Sequence, residues 1–137
     1  MIKCILTKKY LHPSLWGIWF VSLWMLSSGE LPKMDQGPEI PFFDKILHFG
    51  YFGIGGALLA FISLAFRGEL GKPLFFIFLA LGMSVGALDE WHQSWVPGRT
   101  GSDLGDFIAD SVGTLIGLLS AQQVWRVFIS EPLQRGS

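Results

Sequence analysis

Residues 46–66 read ILHFGYFGIGGALLAFISLAF, and this stretch decides the fold. Across 21 residues it carries one side chain that ionises near neutral pH, His48. About 20 apolar residues wound as a helix cross the ~30 Å hydrocarbon layer of a bilayer. Gly53, Gly56, Ala57 and Ala60 recur along it at spacings of three and four. Such a stripe lets two helix backbones approach closely in lipid.

The rest of the chain agrees with that reading. It is 50% hydrophobic and 15% charged, whereas soluble domains carry about 25% charged residues. Six Trp, twelve Phe and seventeen Gly in 137 residues suit helices that pack through small residues and anchor at headgroup depth through tryptophan. The apolar segments are apolar all round rather than amphipathic, which excludes a small soluble bundle. Three more spans are predicted, at residues 13–31, 73–95 and 102–128. The first follows a basic start, MIKCILTKKYLHP, as a secretory signal does. Its length, its three tryptophans (Trp16, Trp19, Trp24) and the poor cleavage site SSGELP favour a retained helix. Pro32, Gly37, Pro38 and Pro41 break the next segment into a polar connection. RGELGK at residues 67–72 is a turn, and Pro73 suits the first turn of the third helix. Pro97-Gly98 ends that helix, Ser102 is a plausible N-cap for the fourth, and Pro132 closes it. The expected fold is all-α, one polytopic membrane domain over residues 1–137 built as a bundle of four transmembrane helices. Gly82 and Gly86, with Ala109, Gly113, Gly117 and Ala121, offer faces through which helices or a second copy of the chain can pack. The single cysteine, Cys4, excludes an internal disulfide, and no nucleic-acid signature is present.

Lys and Arg concentrate on the cytoplasmic side of membrane proteins. With four spans, the N-terminal segment, the 67–72 turn and the C-terminal segment share one side and hold seven of the ten Lys and Arg. Both termini are therefore expected in the cytoplasm. The connection at 30–44 and the stretch at 89–110, DEWHQSWVPGRTGSDLGDFIAD, then face outward with nine of the eleven acids.

Placed on helices, the polar residues converge at that outer end. Asp44 and His48 are four apart and share a face, as do Glu90 with Gly86, and Asp106 and Asp110 with Gly113 and Gly117. The candidate cluster is Asp44, Lys45, His48, Asp89, Glu90, Gln93, Arg99, Asp106 and Asp110. Carboxylates at membrane depth usually face a bundle interior or a wet cavity. Arg99 and Lys45 are the cations expected to pair with them, Arg99 through a bidentate carboxylate contact. Asp103 and Asp106 lie in the first turn of a helix, where its dipole favours acids. Asp44 with His48 has the spacing of a proton-transfer pair, although a hydrogen-bonded core histidine is the commoner outcome, and His12 and His92 are expected at the interface with no role. A divalent-metal site ranks below the ion-pair network, because no tight ligand spacing is present. No metal and no cofactor are expected.

The segments DKILHF (44–49), DEWHQSWVPGR (89–99) and DLGDFIADSVGTLIG (103–117) resemble the VanZ-like family of small bacterial integral membrane proteins. The pattern falls on Asp44, Lys45, His48, Phe49, Asp89, Glu90, Gln93, Pro97, Arg99, Asp106, Asp110, Gly113 and Gly117. Phe52 stands where the family often has Tyr, and Asp110 where Asn is frequent. The resemblance implies a multi-pass protein of the bacterial cytoplasmic membrane, in an envelope setting linked to teicoplanin-type glycopeptide resistance. Three functional readings follow. The first is a modulator whose acidic outer cup binds a cell-wall precursor, a lipid or a glycopeptide. The second is a membrane enzyme acting on such a precursor with Glu90 or Asp110 as base and His48 as acid. The third is a structural or oligomerising subunit.

Overall fold

The computed structural model describes residues 2–29, 42–99 and 101–130. These are helical: α1 (Ile2–Leu6), α2 (Leu11–Ser27), α3 (Phe43–Arg67), α4 (Lys72–Gln93) and α5 (Leu104–Trp125), which runs on as a π-helix (Arg126–Ser130). Three stretches are long and apolar enough to cross a membrane: Phe43–Arg67, Lys72–Gln93 and Leu104–Ser130. The breakers at Pro32, Gly37, Pro38, Pro41 and Pro132 lie outside the described residues.

The first long helix is shorter than the 13–31 span expected of it. At 17 residues, α2 falls short of the ~20 needed to cross hydrocarbon in full. It stops because Ser28 caps it, its backbone N–H reaching the carbonyls of Trp24 and Leu26. The fourth helix starts at Leu104 rather than Ser102. Ser102 sits at a left-handed φ of 65°, which a helix does not admit, and Asp103 takes the cap instead by accepting from the Gly105 N–H at 2.7 Å. Pro73 does stand in the first turn of α4, and Gly68, at φ 79°, closes α3 with its N–H on the Leu64 carbonyl.

Packing centres on α3 against α5. A Cβ on Gly113 would collide with the Phe49 carbonyl, and one on Gly117 with the Gly53 carbonyl and Ala57 nitrogen. The two helices thus touch backbone to backbone. From the other side, Gly82 and Gly86 of α4 leave room for Thr114 and Asp110. The small-residue faces that offered a surface for a second copy are filled within the chain. α2 is fastened to α3 by Trp19, whose Nε1–H donates to the Tyr51 carbonyl at 2.9 Å, whose ring stacks on Tyr51, and whose edge meets Phe52. Gly55 lies where the indole rests.

The surface is inside-out relative to a soluble protein. On α5, Leu104, Ile108, Val112, Ile116 and Leu119 point outward while Asp106, Asp110 and Thr114 are buried. The two ends of the molecule differ as the chain order requires. At one end lie α1, the α3–α4 turn and the π-helix, closed by an apolar cluster of Leu59, Leu64, Leu118, Trp125 and Ile129. Gln122 donates to the Leu70 carbonyl there. His12 belongs to this half: it is buried, not interfacial, with Nε2–H on the Leu6 carbonyl at 3.0 Å and its ring stacked on Phe61. The other end gathers the C-terminus of α2, the start of α3, the end of α4 and the start of α5.

Candidate functional site

Two carboxylate groups form at that second end, and they are built differently. The outer one surrounds Lys45. Its Nζ donates to Asp103 at 2.9 Å, Asp106 at 3.0 Å and Asp44 at 3.1 Å. Gly105 makes this possible, since a side chain there would occupy the space of the lysine stem. Asp103 lies outside the spans. The Lys45 ammonium and then the Gly105 N–H hold its carboxyl below the usual carboxylate range.

The inner group contains His48, Asp89, Glu90 and Asp110, which can each offer one donor atom within 4.8 Å of all the others. Asp110 is 0% exposed, Asp89 2% and Glu90 5%. They are carried by three helices: the start of α3, the end of α4 and the second turn of α5. His48 Nδ1 pairs with Asp110 Oδ1 at 2.9 Å. Asp89 accepts from the Ser27 hydroxyl of α2 and, at 2.8 Å, from Gln93 Nε2. Glu90 Oε2 accepts the Asp103 N–H at 2.7 Å, and its backbone carbonyl takes the Ser102 N–H at 3.3 Å. The left-handed turn at Ser102 therefore folds the connection back over the end of α4. Among the described residues, two buried carboxylate oxygens are left without a hydrogen-bond partner, Glu90 Oε1 and Asp110 Oδ2.

Beside this group is a cleft of about 500 Å³ between α2, α3 and α4. Leu23, Met25, Leu26, Leu47 and Phe52 give it apolar walls, while His48, Asp89, Gln93, Asp44 and Arg99 supply polar ones. His48 and Asp89 belong to both cleft and inner group; Glu90 and Asp110 lie behind them. A ligand in the cleft would meet the histidine and Asp89 directly, and Asp110 only through His48.

All nine expected residues stand at this end, with two pairings corrected. His48 pairs with Asp110 across helices rather than with Asp44 on its own, because the α3–α5 backbone contact brings Asp110 to it and Lys45 engages Asp44. Arg99 makes no carboxylate contact among the described residues. Its guanidinium donates to the Leu26 and Gly29 carbonyls at 2.8 and 3.0 Å, tying the α4–α5 connection to the C-terminal end of α2. His92 stacks on Trp24 with ring centroids 4.0 Å apart. Sequence reasoning missed Ser27 and Thr114. Thr114 follows Asp110 by four and so shares its face, a signal that was available; nothing local marks Ser27 as a partner for Asp89.

A search of curated proteins and one of solved structures each found no match. The model of the VanZ/LLP1 family, in contrast, matches residues 6–126. That range runs from α1 to the start of the π-helix and takes in every residue of both carboxylate groups. On that match the chain belongs to the VanZ/LLP1 family.

Proposed function

We propose that the chain is a four-span protein of the bacterial cytoplasmic membrane with both termini cytoplasmic. Its outer end binds an amphiphilic envelope molecule, a lipid-linked cell-wall precursor being the class that fits best, and through it modulates susceptibility to teicoplanin-type glycopeptides. The observation that carries this is the cleft. Aliphatic walls on α2 and α3 suit an acyl or prenyl chain, and the polar wall of His48, Asp89, Gln93 and Arg99 suits a head group. The lysine and arginine count supports the orientation, and the grouping of α1, the α3–α4 turn and the π-helix at one end is what that count assumed. In this reading α2, at 17 residues, is the fourth span.

The test fills the cleft without touching charge. Leu26→Trp and Leu47→Trp, checked for equal membrane levels, are expected to lower binding of a lipid-linked precursor in native mass spectrometry and to shift the teicoplanin response of the expressing strain. Wild-type behaviour in both variants would remove the cleft from the mechanism.

The enzyme reading has one observation in its favour. His48 lines the cleft and is oriented by a buried carboxylate, an arrangement used in general acid–base catalysis. Asp110 and Glu90 would then position and not contact the reacting atoms, so His48→Gln should abolish turnover while leaving binding intact.

A further inference from the structure

We infer that His48, Asp89, Glu90 and Asp110 form a binding site for a divalent first-row transition cation, Mn²⁺ or Zn²⁺. Their donor atoms lie within 4.8 Å of one another. Donors on opposite sides of such an ion, with bonds of ~2.0–2.5 Å, stand ~4–5 Å apart. Three carboxylates and one imidazole from three helices make a mixed oxygen and nitrogen set, which suits these metals better than the all-oxygen cages of Ca²⁺.

The second observation is what the group lacks. Glu90 Oε1 and Asp110 Oδ2 are buried with no partner among the described residues, on residues 5% and 0% exposed. Asp110 Oδ2 faces the glycine gap at Gly86 of α4, one turn before Glu90 on the same helix. Buried carboxylate oxygens ordinarily carry hydrogen bonds or coordinate a metal. The neighbouring trio of Asp44, Asp103 and Asp106 shows how this fold meets the same demand, with the Lys45 ammonium bonded to all three. No equivalent cation reaches the inner group among the described residues. Lys45 is engaged by the outer trio, Arg99 is on the α2 carbonyls, and His48 serves one oxygen of Asp110. Three acids and one imidazole are thus left for a metal to join. The hydrogen bonds already present orient ligands in the usual way of a metal's outer shell: Ser27 and Gln93 on Asp89, and the Asp103 N–H on Glu90. The site stands whether or not a lipid occupies the cleft.

The experiment uses the full chain, purified in detergent, stripped with chelator and titrated with Mn²⁺ while the free-ion electron paramagnetic resonance signal is followed. Saturable binding of one Mn²⁺ per chain is expected, with nitrogen coupling in the echo-modulation spectrum and displacement by Zn²⁺, which such donor sets hold more tightly. Glu90→Gln and Asp110→Asn should each weaken binding at least ~10-fold, His48→Gln should remove the nitrogen coupling, and Asp103→Asn should leave binding unchanged. Wild-type protein that shows no saturable binding below ~1 mM, the weak end for extracellular cation modules, overturns the proposal even if the variants do not fold. Equal affinity in Glu90→Gln and wild type, or loss of binding in Asp103→Asn, overturns it as well.

Discussion

His48 and Asp103 show how depth changes the worth of one polar contact. The His48–Asp110 contact is buried, with side chains 14% and 0% exposed. Removing one partner of such a pair strands the other in a medium that does not solvate it, at a cost of about 3–5 kcal/mol. His48→Ala is expected to lose stability on that scale in detergent unfolding, and His48→Gln, which keeps a donor, much less. Asp103 pairs with Lys45 at the rim, where solvent screens the contact, so Asp103→Asn should cost well under half as much as His48→Ala. Its pH dependence has a definite sign. A carboxyl held below its ordinary value of ~3.9 contributes stability that is complete above that value and is lost as pH falls through the lower folded value. Melting curves of wild type and Asp103→Asn should therefore differ at neutral pH and converge in strong acid. The residues of this site were legible in sequence as helix faces, because spacings of four fix what shares a face on one helix. Their partners were not. Asp44 and His48 looked like a pair by spacing, yet the cross-helix neighbour Asp110 and the adjacent Lys45 outcompete that local contact.

The α3–α5 pair is where elements and site meet. Gly117→Ala places a methyl against the Gly53 backbone, which no rotamer change can relieve. Overpacking of this kind costs about 1–3 kcal/mol, and Gly117→Ala should lower thermal stability by a corresponding amount. Gly50→Ala is the control on α3: nothing lies within 4 Å of the added carbon, and a helical Gly→Ala change gains about 0.5–1 kcal/mol. The contrast, read by thermal unfolding in one detergent, separates contact from propensity. α3 and α4 were readable from sequence to within a few residues because hydropathy, a Pro start and a Gly stop all agree at their ends. The first helix was overextended, since nothing in the apolar run announces that Ser28 will cap it. The start of α5 was shifted because Ser102 and Asp103 are both good caps, and the backbone bonds to Glu90 choose between them.

For the whole molecule, the orientation proposed from charge makes a direct prediction. Cys4 is exposed and lies on α1, at the end opposite the carboxylate groups. In spheroplasts it should resist a membrane-impermeant maleimide and react once the membrane is permeabilised. A cysteine introduced at Trp95, an exposed position just past α4, should in a Cys4→Ser background react from outside. The reverse pattern would invert the topology and place the cleft in the cytoplasm. The fold class was legible because composition alone left no water-facing side for a soluble bundle. The cleft was not, since its walls come from α2, α3 and α4, and a cavity is a property of how helices rotate against one another.

The glycine contact between α3 and α5 also sets the tolerance of the polar site. The helices carrying His48 and Asp110 are separated by carbonyls and α-carbons, with no intervening side chain at the closest points. Their gap is therefore gauged by atoms that have no alternative rotamers. Substitutions on the outward faces, at Ile108, Val112 or Ile116, can alter how the helices meet the acyl chains without altering that gauge. The His48–Asp110 pair is mounted on that backbone-to-backbone joint, so its span is set by the α3–α5 contact and not by side chains that could repack.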